Sequence, residues 1–481
     1  MSLRRRVPDA RSTYDDPVLG VNLRESLDDL QRGEARQMQN VHYESGTRLR
    51  NGSTRLTSTA LMLGVPIRGG HMFYYGETGS SRLVVYGTNC STLSAAGTET
   101  ILFTGLTNDR ATQFLTFPVV DKVYLANGID ELYEYDGTTF QATSVVAGAA
   151  NVPGNGGNPP ARQLGRFRDR LLAITDQGIE VSGPSQPQIW SSDSSWSTFR
   201  PIEPGIFNAI APHTTAFANS NVAGMLAIQT NAYYFLSGTD FGADVTAASP
   251  PAGLDTEIQL INSRVGTQSP NSVEFVPGLG TFWFTTDLNV WWIPQGQTQG
   301  RFVADKLVSD GTIQGLESVN RAALSSVWMR YFNRKLILSV PYGNDLFTTS
   351  QWWLDIRSLQ EHPERDAVWY GPMTGQSSNI GWTENALNDN RLMMGEGNPA
   401  LGAYVYEGLV SGIYQDAVGA SDVDFPYVYQ TYAKSFGTPS LEKYIKSLEL
   451  EANAFTGDAT VDLHDLTGEL AVDLPIELSS V

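Results

Sequence analysis

The stretch Arg82-Leu83-Val84-Val85-Tyr86-Gly87-Thr88-Asn89 decides how this chain reads. A short apolar run ends in a Gly/Asn turn, and the same unit keeps returning. It recurs as Lys122-Val123-Tyr124-Leu125-Ala126-Asn127-Gly128, as Arg170-Leu171-Leu172-Ala173-Ile174-Thr175-Asp176 and as Gly224-Met225-Leu226-Ala227-Ile228-Gln229. It returns again as Thr281-Phe282-Trp283-Phe284-Thr285, Lys335-Leu336-Ile337-Leu338-Ser339-Val340 and Arg391-Leu392-Met393-Met394-Gly395. Most copies are followed by an aromatic-rich strand, such as Leu132-Tyr133-Glu134-Tyr135, Tyr233-Tyr234-Phe235, Val290-Trp291-Trp292-Ile293 or Trp352-Trp353-Leu354. Equivalent positions are Val84, Val123, Leu172, Leu226, Phe282, Ile337 and Leu392, at steps of roughly 40 to 55 residues, the period of propeller blades with some insertions. A twisted four-stranded sheet with two apolar faces cannot bury both alone. Stacking such sheets around an axis buries them against each other. The pattern therefore predicts an all-β protein with a β-propeller-like body. A β-sandwich, or two β domains with coincidental spacing, is the alternative. Asp136-Gly137, Asn127-Gly128 and Asp310-Gly311 supply the positive-φ residues that tight hairpins demand.

Composition agrees. Of 481 residues, 41% are hydrophobic and 10% aromatic, enough for a large core, while only 17% are charged and 46 are Gly. A turn-rich β protein fits that balance better than a helical one. The chain carries 51 acids against 32 basic residues, a net of −19. The imbalance is uneven. Residues 1–60 hold ten Arg and eight acids, and the remainder is at −21. A body this acidic should repel nucleic acid rather than grip its phosphates. Cys90 is the single cysteine, so no internal disulfide forms and folding in a reducing cytoplasm is expected. No apolar run reaches the length of a membrane helix, and the basic start Arg4-Arg5-Arg6 leads into no apolar stretch, so no secretion signal is expected.

The residues offer little chemistry. His42, His71, His213, His362 and His464 show no metal-ligand spacing. Gly154-Asn155-Gly156-Gly157 lies in a Gly/Pro-rich loop and lacks the Lys-Ser/Thr of a phosphate loop; 247–253 reads as a second such loop. Asp176, Asp287, Asp355 and Glu396 sit near strand ends, where paired carboxylates would serve a glycosidase. Trp283, Trp291, Trp292, Trp352 and Trp353 would suit sugar stacking but sit at strand spacing, as core residues do. Asp422-Val423-Asp424 lacks the further oxygens of a calcium site. No catalytic residue, metal or cofactor is assigned, and no enzyme activity is expected.

The chain divides into an arm at 1–60, a propeller body at 61–435 and C-terminal strands at 436–481. Within the last, 441–452 alternates as a strand, and Thr460-Val461-Asp462-Leu463-His464 and Leu470-Ala471-Val472-Asp473-Leu474 read as an antiparallel pair that completes a blade or forms an interface. In the arm, Asp28-Asp29-Leu30-Gln31-Arg32-Gly33-Glu34-Ala35-Arg36-Gln37-Met38-Gln39-Asn40-Val41 predicts a short helix. Leu30, Ala35, Met38 and Val41 share its face, Asp28 or Asp29 caps it, and Asn40 ends it in a left-handed conformation. A hairpin over 43–56 then turns at Glu44-Ser45-Gly46, and alternation places Arg48, Arg50 and Arg55 on one face if the strand is unbroken.

Here Gly20-Val21-Asn22-Leu23, Gly33-Glu34-Ala35 through Asn40-Val41, and Gly46-Thr47-Arg48-Leu49-Arg50-Asn51-Gly52 resemble a family of bacteriophage virion proteins: the β-propeller tail components of short-tailed and related phages. Members often begin with a Gly-Gly-Leu-Asn-like stretch. A Pro/Gly-Glu-Ala helix ending in Leu-x-Asn-Val follows, then a Gly-x-Leu-Arg-x-Arg-x-Gly turn. Val21 departs from the usual second position, Leu23 follows Asn22, and Asn51-Gly52 stands where a basic residue and Pro-Gly are commoner. The resemblance covers 17–60 in sequence and the body only in architecture. It implies a structural virion protein, a tail nozzle or hub. Such a protein forms a homo-oligomeric ring, commonly sixfold, below the portal and adaptor, beside other tail proteins, and DNA leaves the capsid through it without specific binding. The acidic balance suits a conduit that must not hold its polymer. Asn22, Leu23, Arg24, Leu30, Met38, Asn40, Arg48, Arg50 and Arg55 are then the candidates for assembly contacts. The rivals are a receptor- or carbohydrate-binding propeller and a propeller-fold glycoside hydrolase.

Overall fold

The computed structural model describes residues 17–25, 29–44, 47–190, 198–199, 201–217, 220–238, 256–309, 314–361, 363, 366–386, 389–411, 413–424, 427–431, 457–464 and 470–478. Seven antiparallel meanders form seven blades. Their first strands are Ile67–Tyr75, Gln113–Phe117, Gln163–Phe167, Phe207–Phe217, Glu274–Val276, Trp328–Phe332 and Ile380–Ala386. Each packs beside the first strand of the next blade, and the seventh returns to the first, so these strands form the inner ring. All seven positions of the repeat lie in second strands, one per blade.

The quoted strand shows why these runs are continuously apolar rather than alternating. Leu83 and Val85 point into a cluster with Phe114, Val123 and Leu125 of blade 2. Val84 and Tyr86 point the other way, into a cluster with Ile380, Trp382 and Met393 of blade 7. Successive side chains leave opposite faces of a strand, and here both faces meet a neighbouring sheet. All four side chains are essentially fully buried, worth about 1.5–3 kcal/mol each. Further clusters fill the other seams, and the largest runs through blades 5 and 6 to the arm.

The ring is closed by the start of the chain. Blade 7 takes Ile380–Ala386, Asp389–Gly395 and Val405–Gly408 from one end of the body, and its fourth strand is Ser53–Arg55, antiparallel to Val405–Gly408. Residues 53–55 of the arm segment are thus part of a blade. At the same seam Gly70 of blade 1 lies against the Trp382 ring, where a Cβ would approach to 2.3 Å.

The arm differs from its sequence reading. No helix forms in residues 29–41. Glu34–Gln39 is a strand, parallel to Gly20–Val21 and antiparallel to Val428–Thr431. Gly33, at φ 90°, breaks the segment, and a helix of two turns is marginal in water, whereas this strand finds backbone partners on both sides. Leu30, Ala35, Met38 and Val41 are buried as foreseen, but from strands and turns. Asn40 does adopt φ 56°, at the corner between two strands rather than at a helix end. Val41–Tyr43 pairs antiparallel with Thr47–Leu49, as a hairpin does; Ser45-Gly46 of the expected turn lies outside the described residues. Gly128 and Gly137 have the expected positive φ; Asp310-Gly311 lies outside the described residues. The single α-helix among the described residues is Ile356–Glu361. Gly457–His464 and Leu470–Leu478 pair antiparallel with each other, and the seven blades are complete without them; 441–452 lies outside the described residues.

Candidate functional site

The arm bearing the resemblance is held to the propeller by a buried polar cluster. Arg50 is its centre, 5% exposed. Its guanidinium donates to both carboxylate oxygens of fully buried Asp416, at 2.9 Å to Oδ1, and to Thr374 O of blade 6 at 2.6 Å. Its Nε donates to Asn40 Oδ1 at 2.8 Å. Asn40 Oδ1 also accepts from Thr374 N at 2.8 Å, and Ser53 Oγ of the closing strand reaches Asp416 Oδ1 at 3.3 Å. The arm, blade 6, the closing strand and the strand Gln415–Val418 therefore share one ionic contact.

A second cluster anchors the chain start. Buried Glu34 accepts from Lys306 Nζ at 2.7 Å and from Asn22 Nδ2 at 3.1 Å. Asn22 Oδ1 accepts from the backbone of Arg24 at 3.1 Å and of Glu25 at 3.3 Å. Leu23 is fully buried and its N–H donates to Lys306 O at 2.8 Å.

Of the nine assembly candidates, Asn22, Leu23, Leu30, Met38, Asn40 and Arg50 are thus buried within the subunit. Arg24 and Arg48 are exposed, and Arg55 pairs with Asp422 of its own chain at 2.9 Å. The three arginines do not share a face. The strand is broken between Thr47–Leu49 and Ser53–Arg55, and Arg50 in the gap turns inward to Asp416. Asp416, Thr374 and Lys306 were not foreseen; their partners lie hundreds of residues away, and no local pattern marks them.

The inner strands carry mixed charge. Glu274 of blade 5 faces Arg330 of blade 6 at 3.7 Å, and its Oε1 accepts from Tyr331 N at 3.1 Å. Burial pushes the Glu274 carboxyl up against the opposing pull of Arg330. His71 of blade 1 shares a 2.7 Å hydrogen bond with Thr116 Oγ1 and stacks on Phe114. Burial, aided by the Arg330 charge, lowers its pKa to about 4. His42 in the arm is lowered to about 4 by burial and then by Lys335. Both rings are neutral in the fold, so their stabilising contribution is complete above about pH 6.5 and is lost as pH falls through about 4. Thermal unfolding is expected to move to lower temperature across that window, less steeply in His71→Gln, which stays neutral and keeps a hydrogen-bonding group toward Thr116. An equal slope in both proteins would refute the assignment.

The carboxylates singled out from sequence are occupied structurally or dispersed. Asp176 pairs with Arg162 and Asp355 with Arg357, the latter at 2.6 Å. Buried Glu396 accepts from Ser377 Oγ, from Tyr406 OH at 2.6 Å and from Asn398 N at 2.8 Å. Asp287 stands on a turn of blade 5. Trp283, Trp291, Trp292, Trp352 and Trp353 are all buried in seams between blades. Asp422-Val423-Asp424 is an exposed strand paired with Gln415–Val418. Among the described residues no group of three His, Cys, Asp or Glu is arranged to hold a metal ion.

Glu180 of blade 3 stands apart, because burial raises its pKa to about 7 and its hydrogen-bond partner is Thr175 Oγ1, at 3.4 Å. The folded state holds an extra proton between about pH 4.5 and 7. That contribution is complete below the lower value and lost as pH rises through the upper one. Glu180→Gln is expected to gain about 2 kcal/mol over the parent at pH 8, after discounting for partial exposure, and nothing at pH 4. Denaturant titration at both pH values measures this.

A surface groove of about 310 Å³ lies between Thr57–Leu61 of the chain entering blade 1 and Ala96–Glu99 of that blade's outer hairpin. Hydroxyls and the Glu99 carboxylate line it, without an exposed aromatic.

No family profile and no curated protein sequence matches the chain. Solved structures do. One is PorZ, a bacterial surface component of the type-IX secretion system of Porphyromonas gingivalis, at 8% identity and TM-score 0.41, over 78% of this chain and 39% of that one. This chain therefore spans about two fifths of PorZ. YCF48 bound to D1 peptide is similar at 11% identity and TM-score 0.38, over 78% of this chain and 98% of that one. BBS1N is similar at 10% identity and TM-score 0.40, over 76% and 97%.

Proposed function

We propose that this protein is a non-enzymatic structural component of a phage virion: a tail nozzle or hub whose copies join in a ring, commonly sixfold, below the portal and adaptor. One observation carries the reading. The segment bearing the phage-tail resemblance, residues 17–60, is integral to the propeller: it supplies the closing strand Ser53–Arg55 and the buried Arg50–Asp416 pair. That its conspicuous residues hold the blade closure together supports the reading as a structural building block.

Charge supports the role of conduit. Beyond the arm the chain is at −21, which holds phosphates off a wall, with salt screening the field beyond about 8–10 Å. The buried tryptophans and the paired carboxylates Asp176, Asp355 and Glu396 leave the carbohydrate and glycosidase readings without a platform or an acid pair in these groups. The protein is made in the host cytoplasm and carried in the tail.

Electron microscopy of purified tails, with mass spectrometry of their proteins, tests this. A rotationally symmetric ring with an open channel is expected, together with no retention of duplex DNA at low salt. Absence of the protein from virions, or a ring without a channel, would overturn it.

A further inference from the structure

The chain contains three Asn-Gly pairs, Asn51-Gly52, Asn127-Gly128 and Asn155-Gly156. Asn-Gly is the dipeptide most prone to spontaneous deamidation, because glycine leaves its amide nitrogen unhindered and lets the backbone reach the required geometry. The reaction needs that nitrogen to attack the preceding side-chain carbonyl carbon. In two of the three pairs the nitrogen is engaged. Gly52 N donates to Ile413 O at 2.6 Å, and a Cβ there would meet Gln415 O at 1.9 Å, so the backbone has no room to turn. Gly128 N donates to Ala161 O at 2.8 Å. The Asn127 side chain is 7% exposed and committed: Oδ1 accepts from Ile129 N and Asp130 N, and Nδ2 donates to Asp130 at 2.6 Å.

The third pair is different. Asn155 and Gly156 are both exposed, on the loop between blades 2 and 3. At Gly156, with φ 63°, a Cβ would meet nothing within 4 Å, and its N–H donates to no described residue. The side chain has one contact, Asn155 Nδ2 to Glu131 Oε2 at 3.0 Å.

We propose that Asn155 is a self-modification site, converted without an enzyme to aspartate and isoaspartate, while Asn51 and Asn127 are protected by the fold. Gly156 N loses its proton and bonds to Asn155 Cγ. The Cγ–Nδ2 bond breaks and the nitrogen leaves as ammonia, giving a succinimide. Water then opens either carbonyl of that ring, leaving a carboxylate. The nitrogen lost is the donor that held Glu131, and the oxygen replacing it is negative. The contact becomes a repulsion, because Glu131 Oε2 also accepts from Ser144 Oγ at 2.5 Å and stays in place. The side-chain tie between this loop and Glu131 of blade 2 is thereby lost as the protein ages, while the loop's backbone hydrogen bonds, such as Leu132 N to Pro153 O at 3.1 Å, remain.

The test incubates the intact protein at pH 8.5 and 37 °C and follows all three sites by peptide mass spectrometry, beside a parallel sample in urea. In the native sample, position 155 is expected to react at least about tenfold faster than 51 or 127. In urea the three rates are expected to converge. Native rates at 155 as slow as at the other two, or a ranking unchanged by urea, would overturn the proposal. Asn155→Gln supplies the second arm: it should abolish the signal at 155 and leave the slow rates elsewhere untouched.

Discussion

Glu384→Ala is expected to lower the unfolding free energy by about 3–5 kcal/mol, the loss typical when one member of a buried ion pair is removed. Glu384, on the inner strand of blade 7, accepts from Arg82 of blade 1 through both oxygens, at 2.5 and 2.6 Å, and both side chains are almost fully buried. Trp382 Nε1 approaches the same carboxylate at 3.3 Å, and Arg82 Nη1 holds Ser94 O at 3.0 Å. The pair crosses the seam where the last blade meets the first. Alanine leaves the Arg82 charge in an apolar interface with its main acceptor gone. The measurement is chemical denaturation of the single variant beside Arg82→Met with Glu384→Leu. Replacing both partners should recover most of the loss, since a packed apolar pair avoids the desolvation cost. A double variant as unstable as the single would show that the pair is worth more than its burial costs.

Asp416→Ala is expected to cost a similar amount, but with a different local signature. It strands Arg50 among Asn40, Thr374 and Ser53, the groups that join the arm to blade 6 and to the closing strand. Hydrogen exchange in residues 47–56 should rise well before global unfolding, because these contacts hold a short three-residue strand at the blade edge. Asp416→Asn, which keeps one acceptor, should fall between the parent and alanine. Unchanged exchange in the arm would refute the role given to this cluster.

The propeller was legible because its signal is periodic. Each second strand is apolar on both faces, a demand that stacked sheets impose on every blade, and the turns between strands carry their own chemistry at Gly128 and Gly137. The arm was not legible in the same way. Leu30, Ala35, Met38 and Val41 are spaced to suit a helix, yet they are buried from strands and turns because Val428–Thr431, nearly four hundred residues on, supplies the missing edge. Period reasoning sees local order, and here the deciding partner is remote. The same distance hid Asp416 from a reading of Arg50. An arginine alternating with Arg48 looks like surface; only the fold turns it inward.

The closing strand also dictates an order of synthesis. Ser53–Arg55 leaves the ribosome early, but its partner Val405–Gly408 is made hundreds of residues later. For that interval the nascent chain carries an unmated strand, and the first six blades gather with no lock between start and finish. Such long-range pairing is slow and leaves sticky edges bare, so a chaperone that shields the leading segment should raise the yield of folded protein more than one acting after release.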